Sequence, residues 1–219
     1  MKKGCIFDLD GTLINSLEDL ANACNDALEK MNCPQYPIED YKLFVGSGVK
    51  NLVKRTLPEY LHSQENIEQM LMYFYQHYDL HCLDHTKPYP NILELIDILL
   101  ENDFALAVVT NKPDYLAKKI VNVLFDGKIE VVYGQVDDIP VKPNPTLVFK
   151  AIERLNIDKQ TCFYIGDSDV DIYTAKNADL KSIGCLWGNR KEEELKNAGA
   201  MNIAREVMDI ADIVLKEKS

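Results

Sequence analysis

The apolar run Gly4-Cys5-Ile6-Phe7 is a strand signal without a neighbour, and that isolation constrains the fold more than any other feature of the chain. An unbroken apolar run suits a strand buried on both faces of a parallel sheet. From about residue 16 to 81 nothing else reads as a strand. Leu17, Leu20, Ala21, Cys24, Ala27, Leu28 and Met31 recur at helical spacing, and Ser16 can cap that helix with Asp19 three positions on. Cys33-Pro34 through Pro37 breaks the pattern. A second helical stretch leads to Gly46-Ser47-Gly48, which opens another helix through Val49, Leu52, Val53 and Leu57. Gln64 to Leu80 is helical again, with Tyr73, Phe74 and Tyr78 on one side.

From Pro88 the texture changes. Helix 91–101, strand 104–110, helix 114–124, strand 129–133, helix 145–155, strand 162–165, helix 169–177 and strand 182–186 follow one another, and two short helices finish the chain. Such alternation requires a parallel sheet covered on both faces, an α/β fold. A lone strand cannot satisfy its backbone groups, so the first strand must join that sheet. The helical block is therefore an insertion. We expect a core of residues 1–15 and 84–219, a helical segment 16–83, and linkers near Asn15 and at 84–90.

With 219 residues, 47% of them hydrophobic, the chain can bury one or two cores. A net charge of -11 disfavours nucleic acid and anionic membrane as partners. The six cysteines show no C-x-x-C pair; Cys5, Cys162 and Cys185 lie in apolar runs as small core residues, a usage suited to a reducing compartment. No apolar stretch approaches the ~20 residues that cross a bilayer, and Met1-Lys2-Lys3 leads straight into the first strand without room for a signal peptide. A cytoplasmic location is expected.

Four segments carry chemistry. Asp8-Leu9-Asp10-Gly11-Thr12-Leu13 puts two carboxylates at the carboxyl end of the first strand, where open α/β sheets expose their sites. Val108-Val109-Thr110-Asn111-Lys112-Pro113 ends another strand in a hydroxyl and an amide suited to phosphate oxygens. Val141-Lys142-Pro143-Asn144-Pro145 presents a cation from a stiff, proline-bracketed loop. Tyr164-Ile165-Gly166-Asp167-Ser168-Asp169-Val170-Asp171 ends a third strand in acids, the oxygen-rich surroundings Mg2+ prefers. Mg2+ keeps several waters, so not all three aspartates should be ligands.

In order and spacing these segments resemble the four motifs of the haloacid dehalogenase superfamily of phosphatases and phosphotransferases. The resemblance covers essentially the whole chain. It implies a Rossmann-like core of strand order 5-4-1-2-3 with a helical cap inserted after the first motif. It implies further that Asp8 attacks phosphorus to form an aspartyl-phosphate, and that Asp10 protonates the leaving oxygen and then deprotonates the attacking water. By the same resemblance Mg2+ is held by an Asp8 carboxylate oxygen, the Asp10 backbone carbonyl and the Asp167 carboxylate. Asp171 orients the metal's waters or Lys142. Thr110 and Asn111, with backbone N–H groups near Gly11, grip the phosphate. True dehalogenases lack the second aspartate, so Asp10 favours phosphate chemistry.

Phe44-Val45-Gly46-Ser47-Gly48-Val49 is similar to the cap loop of phosphoglycolate phosphatases. Gly46, Ser47 and Gly48 are thus candidate substrate contacts, with charge from Lys50 or Arg55. The expected partner is a small phosphorylated metabolite, 2-phosphoglycolate first; a phosphosugar mutase and an inorganic pyrophosphatase are the rival readings within the family. His77, His81 and His85 stand four apart, a spacing compatible with a metal, but a polar helix face is the simpler account.

Overall fold

The computed structural model describes residues 1–216 and opens with β1 (Lys2–Phe7), whose last four residues are all buried. A two-residue strand, β2 (Ile14–Asn15), leads into α1 (Leu17–Lys30), α2 (Tyr41–Phe44), α3 (Val49–Thr56) and α4 (Gln64–His81), with two short 3-10 turns at Ile38–Asp40 and Glu59–Leu61. β3 (Lys87–Pro88) returns from this helical segment. Then come α5 (Ile92–Glu101), β4 (Phe104–Pro113), α6 (Asp114–Phe125), β5 (Val131–Gln135), α7 (Thr146–Leu155), β6 (Ile157–Gly166), α8 (Asp169–Ala178), β7 (Lys181–Cys185), α9 (Glu192–Ala198), β8 (Asn202–Ala204) and α10 (Asp209–Lys216).

The main sheet runs β5-β4-β1-β6-β7-β8, every described pairing parallel. β1 lies between β4 and β6, as an unbroken apolar strand should. Counting only the strands of this sheet in chain order, it reads 6-5-4-1-2-3. The expected five-strand order is therefore present with one strand added at its edge. That strand, β8, is three residues long and too short to show a period in sequence. β6 begins five residues earlier than Cys162 because Ile157 pairs with Lys2 before the register shifts at Gly4.

The helical segment is tied to the sheet by a ribbon. β2 and β3 pair antiparallel, Ile14 opposite Pro88 and Asn15 opposite Lys87. Asp19, buried in the first turn of α1, accepts from the His85 and Thr86 amides and from the Thr86 hydroxyl. The expected Ser16–Asp19 helix cap is thus not formed: Ser16 makes no capping bond, and Asp19 instead fixes the returning linker. α1 and α4 close on each other through Leu20, Cys24 and Leu28 against Met70, Phe74 and Tyr78, all buried, with the last two rings stacked at 5.1 Å. No helix among the described residues is long and apolar enough to cross a membrane.

Candidate active site

Parallel strands aim their carboxyl ends at one edge, so the tips of β1, β4 and β6 bring the predicted segments together. Asp8 follows β1, Thr110 and Asn111 lie near the end of β4, and Asp167 follows β6. All four, with Lys142 and Asp171, are buried.

Lys142 is the hub. Its Nζ lies 2.7 Å from Asp171 Oδ1, 3.0 Å from Tyr164 Oη and 2.9 Å from Asp8 Oδ1. The first two are aligned hydrogen bonds. Asp8 Oδ1 is held by the same ammonium as a close ion pair, less well aligned than the other two and with no further partner. Burial alone would lower the Lys142 pKa, but Asp171 and Asp8 outweigh it and hold the ammonium well above its ordinary value. The loop that carries this lysine is braced by Asn111, whose side chain accepts from Lys142 N at 2.8 Å and donates to Lys142 O at 3.3 Å. The Asn111 side-chain amide is therefore committed to the lysine loop.

Asp8, Asp167 and Asp171 each offer a carboxylate oxygen within 4.8 Å of the others. Their other partners distinguish them. Asp171 is the N3 residue of a capping box at the start of α8: its Oδ2 accepts from Ser168 N at 3.0 Å and Ser168 Oγ at 2.6 Å, while Oδ1 is held by Lys142. Asp167 gives Oδ2 to the Asn189 backbone and side chain at 2.7 and 3.0 Å, and Oδ1 meets only Thr12 Oγ1 at 3.4 Å. Asp8, with only Lys142 against Oδ1, and Asp167, with Oδ1 weakly engaged, keep capacity for a hard cation; Asp171, bonded through both oxygens, suits support of Lys142.

The same crowding moves protons. Burial first, then Asp171, pushes the Asp8 carboxyl up to about 6, and burial with Asp171 and Asp8 pushes Asp167 up to about 7. In an unfolded chain both ionise near 3.8. Between about pH 4 and 7 the folded site therefore holds protons that the unfolded chain has released, and the metal-free fold loses this contribution to stability as pH rises. A divalent cation competes with those protons. Millimolar Mg2+ is accordingly expected to raise Tm more at about pH 8 than at about pH 5.5, read by thermal denaturation with an EDTA control. Equal shifts at the two pH values would contradict this assignment.

Asp10 stands apart from that cluster. Its Oδ1 accepts from Ser16 Oγ at 2.5 Å and pairs with Lys112 Nζ at 2.9 Å. The same ammonium donates to Tyr78 Oη at 2.7 Å, so a buried lysine links the β1 tip to α4. Asp10 also borders a small cavity, ≈ 40 Å³, walled by Val45, Gly46, Gly48 and Leu52 with Asn111 and Lys112. Gly48 has φ +84°, and a Cβ there would press within 3.2 Å of Gln135 and 3.5 Å of the Asn111 carbonyl. Two of the expected loop contacts are placed elsewhere. Ser47 Oγ accepts from Arg55 and its carbonyl from Asn51, which knits the loop to α3. Lys50 is exposed on α3 and does not line the cavity. His77, His81 and His85 form no cluster close enough to share an ion among the described residues; His81 pairs with Asp84 and His85 faces Glu18.

Lys112, Tyr164 and Asn189 were not singled out by the sequence, and Ser16 only as a helix cap. Lys112 and Tyr164 lie inside quoted motifs, but their partners Asp10, Tyr78 and Lys142 are distant in sequence. Asn189 gives no local signal.

A family model described as haloacid dehalogenase-like hydrolase matches residues 5–185. The chain is 34% identical to the phosphoglycolate phosphatase of Aquifex aeolicus over 84% of each chain. It is 32% identical to that of Psychrobacter arcticus over 98% of this chain and 96% of the other. A solved structure from Lactobacillus delbrueckii subsp. bulgaricus superposes with TM-score 0.93 at 32% identity, covering 99% of this chain and 100% of that one. A predicted phosphoglycolate phosphatase from Haemophilus somnus gives TM-score 0.88 at 26% identity over 97% of each.

Proposed function

The chain belongs to the haloacid dehalogenase-like hydrolases, and from that premise we propose that it is a Mg2+-dependent phosphatase that cleaves a small phosphomonoester through a phosphorylated Asp8, with 2-phosphoglycolate as its substrate. The observation that carries the reading is Asp8 itself, a buried carboxylate paired with a fixed ammonium and crowded by two further acids. A carboxylate so placed is costly unless it reacts or binds a cation.

In the proposed reaction a carboxylate oxygen of Asp8 forms a bond to phosphorus as the ester oxygen leaves. Asp10, carrying a proton in the substrate complex, gives it to that oxygen. Asp10 then takes a proton from a water that attacks phosphorus, which releases phosphate and restores Asp8. Lys142 offsets the charge that gathers on Asp8 and the phosphate, while Asp171 keeps Lys142 in place. The backbone N–H groups near Gly11 and Asn111 and the Thr110 hydroxyl hold the transferring group. Asp8, Asp167 and the Asp10 carbonyl would hold Mg2+, which would supply electrophilic charge to the phosphate.

The cavity beside Asp10 supports a short leaving group, and the relatives' shared name supports glycolate as that group. Residues 16–83 then act as a cap over the site, pivoting on the β2–β3 ribbon. Six free, buried cysteines support a reducing, cytoplasmic setting.

Phosphate release tests the reading, measured with and without Mg2+ on 2-phosphoglycolate, phosphosugars, nucleotides, pyrophosphate and p-nitrophenyl phosphate. We expect Mg2+ dependence and the highest kcat/KM on 2-phosphoglycolate. Gly48→Val should reorder the esters more than it changes turnover of p-nitrophenyl phosphate. A different preferred ester would overturn the glycolate assignment, and strong bisphosphate activation without hydrolysis would replace the phosphatase by a mutase.

A further inference from the structure

The turn after β7 reaches three parts of the molecule within four residues. Trp187 Nε1 donates to the Thr12 carbonyl at 2.9 Å, beside the β1 tip. Gly188 passes so close to Asp167 and the Gly11 carbonyl that a Cβ would overlap both. Asn189 gives Asp167 its two short bonds, already described. Arg190 then turns away from the sheet: Nη1 donates to the Lys42 carbonyl at 2.7 Å and Nη2 to the Val45 carbonyl at 3.0 Å. These are orphan acceptors at the C-terminal end of α2, which a guanidinium fork can take together.

Arg55 holds the intervening Phe44 carbonyl at 2.7 Å, but Arg55 sits on α3 and travels with the loop. Arg190 comes from the sheet side. Of the other hydrogen bonds described between sheet-side residues and the helical segment, some lie at the start of α1. There Asp19 accepts from His85 and Thr86, and Ser16 donates to Asp10. Others land on α4, from Lys112 to Tyr78 Oη, from Tyr115 to Asp79 Oδ1 and from Lys119 to the Asp79 carbonyl. The start of α1 and the C-terminal end of α4 flank the β2–β3 ribbon along the chain, whereas the 42–48 loop lies far from it in sequence. A pivot that lifts the 42–48 loop must break both Arg190 bonds.

We propose that Arg190 is a positioning residue, a clasp that seats the 42–48 loop over the cavity beside Asp10 and ties its height to the turn that fixes Asp167. The proposal rests on the reading of that cavity as the leaving-group pocket. Val45 and Gly46 form its wall, a Cβ on Gly46 would lie 3.6 Å from Arg190 Nη2, and the grip on the Val45 carbonyl sets how much room the leaving group has. Arg190 touches no reacting atom, so its loss should act on binding and ester discrimination before turnover.

Arg190→Met and Arg190→Lys test it by amide hydrogen exchange and by steady-state kinetics on 2-phosphoglycolate. In Arg190→Met, exchange over residues 42–48 should quicken about tenfold, while β6 keeps its protection. KM should rise about tenfold and kcat change less than about threefold. Arg190→Lys should recover only part, because one ammonium cannot span both carbonyls, and it serves as the test if the methionine variant fails to fold. Unchanged exchange over 42–48 overturns the clasp; so does faster exchange with KM and ester ranking unchanged. A wild-type protein inactive on every ester would remove the phosphatase reading, and the exchange data would still decide the clasp.

Discussion

Asp8→Asn is expected to cost at least about 10^4-fold in phosphate release from any ester the wild type accepts, with the fold intact. The asparagine keeps the shape of Asp8 but cannot form the acyl phosphate, and no neighbour can take over. Asp10 is engaged by Lys112 and Ser16, Asp171 by Lys142 and Ser168, and Asp167 by Asn189. Stability should move the other way or not at all. Burial and Asp171 already penalise a charged Asp8, so its neutral replacement relieves repulsion and offsets the contact Lys142 loses. Kinetics and thermal denaturation on one preparation check both halves. Activity within about tenfold of wild type would remove Asp8 from the reaction.

Lys142→Met should have the largest effect on stability. The ammonium is buried and serves Asp171, Asp8 and Tyr164 at once; removing it leaves largely buried carboxylates without their counter-charge. Breaking a buried ion pair from one side costs about 3–5 kcal/mol. For a chain of this length that is a fall in Tm of roughly 6–20 °C. Activity should be lost as well. Lys142→Met with Asp171→Asn separates the two roles: the double variant should regain part of the stability, since one of the two stranded charges is gone, and none of the activity. A fall of less than about 2 °C in the single variant would contradict the hub role.

The parts of the fold legible in the sequence were those with a period or an unbroken apolar run. β1, β4 and the second half of β6 are such runs, and their order along the chain determines where their tips meet. β8 and the β2–β3 ribbon offer three and two residues per strand, too few for any period, and their pairing depends on segments that meet only after folding. The polar stretch 158–161 reads as a turn, yet lies within β6 where the register shifts.

The site divides in the same way. Asp8, Asp10, Lys142, Asp167 and Asp171 stand at strand ends or in a proline-bracketed loop, positions whose chemistry local sequence exposes. The partners that set their states do not. Lys112 reaches Asp10 across 102 positions and Asn189 reaches Asp167 across 22, so no local window holds both ends. Ser16 was a misleading signal: its hydroxyl at a helix start reads as a cap, and in the folded chain it goes to Asp10. Lys50 misleads for the opposite reason, since a cation next to a glycine turn reads as a ligand contact until α3 turns it outward. Asp171 is the instructive middle case. Ser168-x-x-Asp171 is a local capping pattern, and the capping bonds leave Oδ1 to face Lys142.

The central claim is that phosphate passes through Asp8, and chemical trapping tests it most directly. The enzyme is mixed with Mg2+ and excess 2-phosphoglycolate, quenched in acid during turnover, and reduced with borohydride, which converts an acyl phosphate to the alcohol. Mass spectrometry of the peptide containing residue 8 should then show homoserine in place of Asp8, dependent on substrate and absent from Asp8→Asn. Reduction at another residue, or an unmodified Asp8 in an enzyme shown to accumulate a phosphorylated form, would contradict the account.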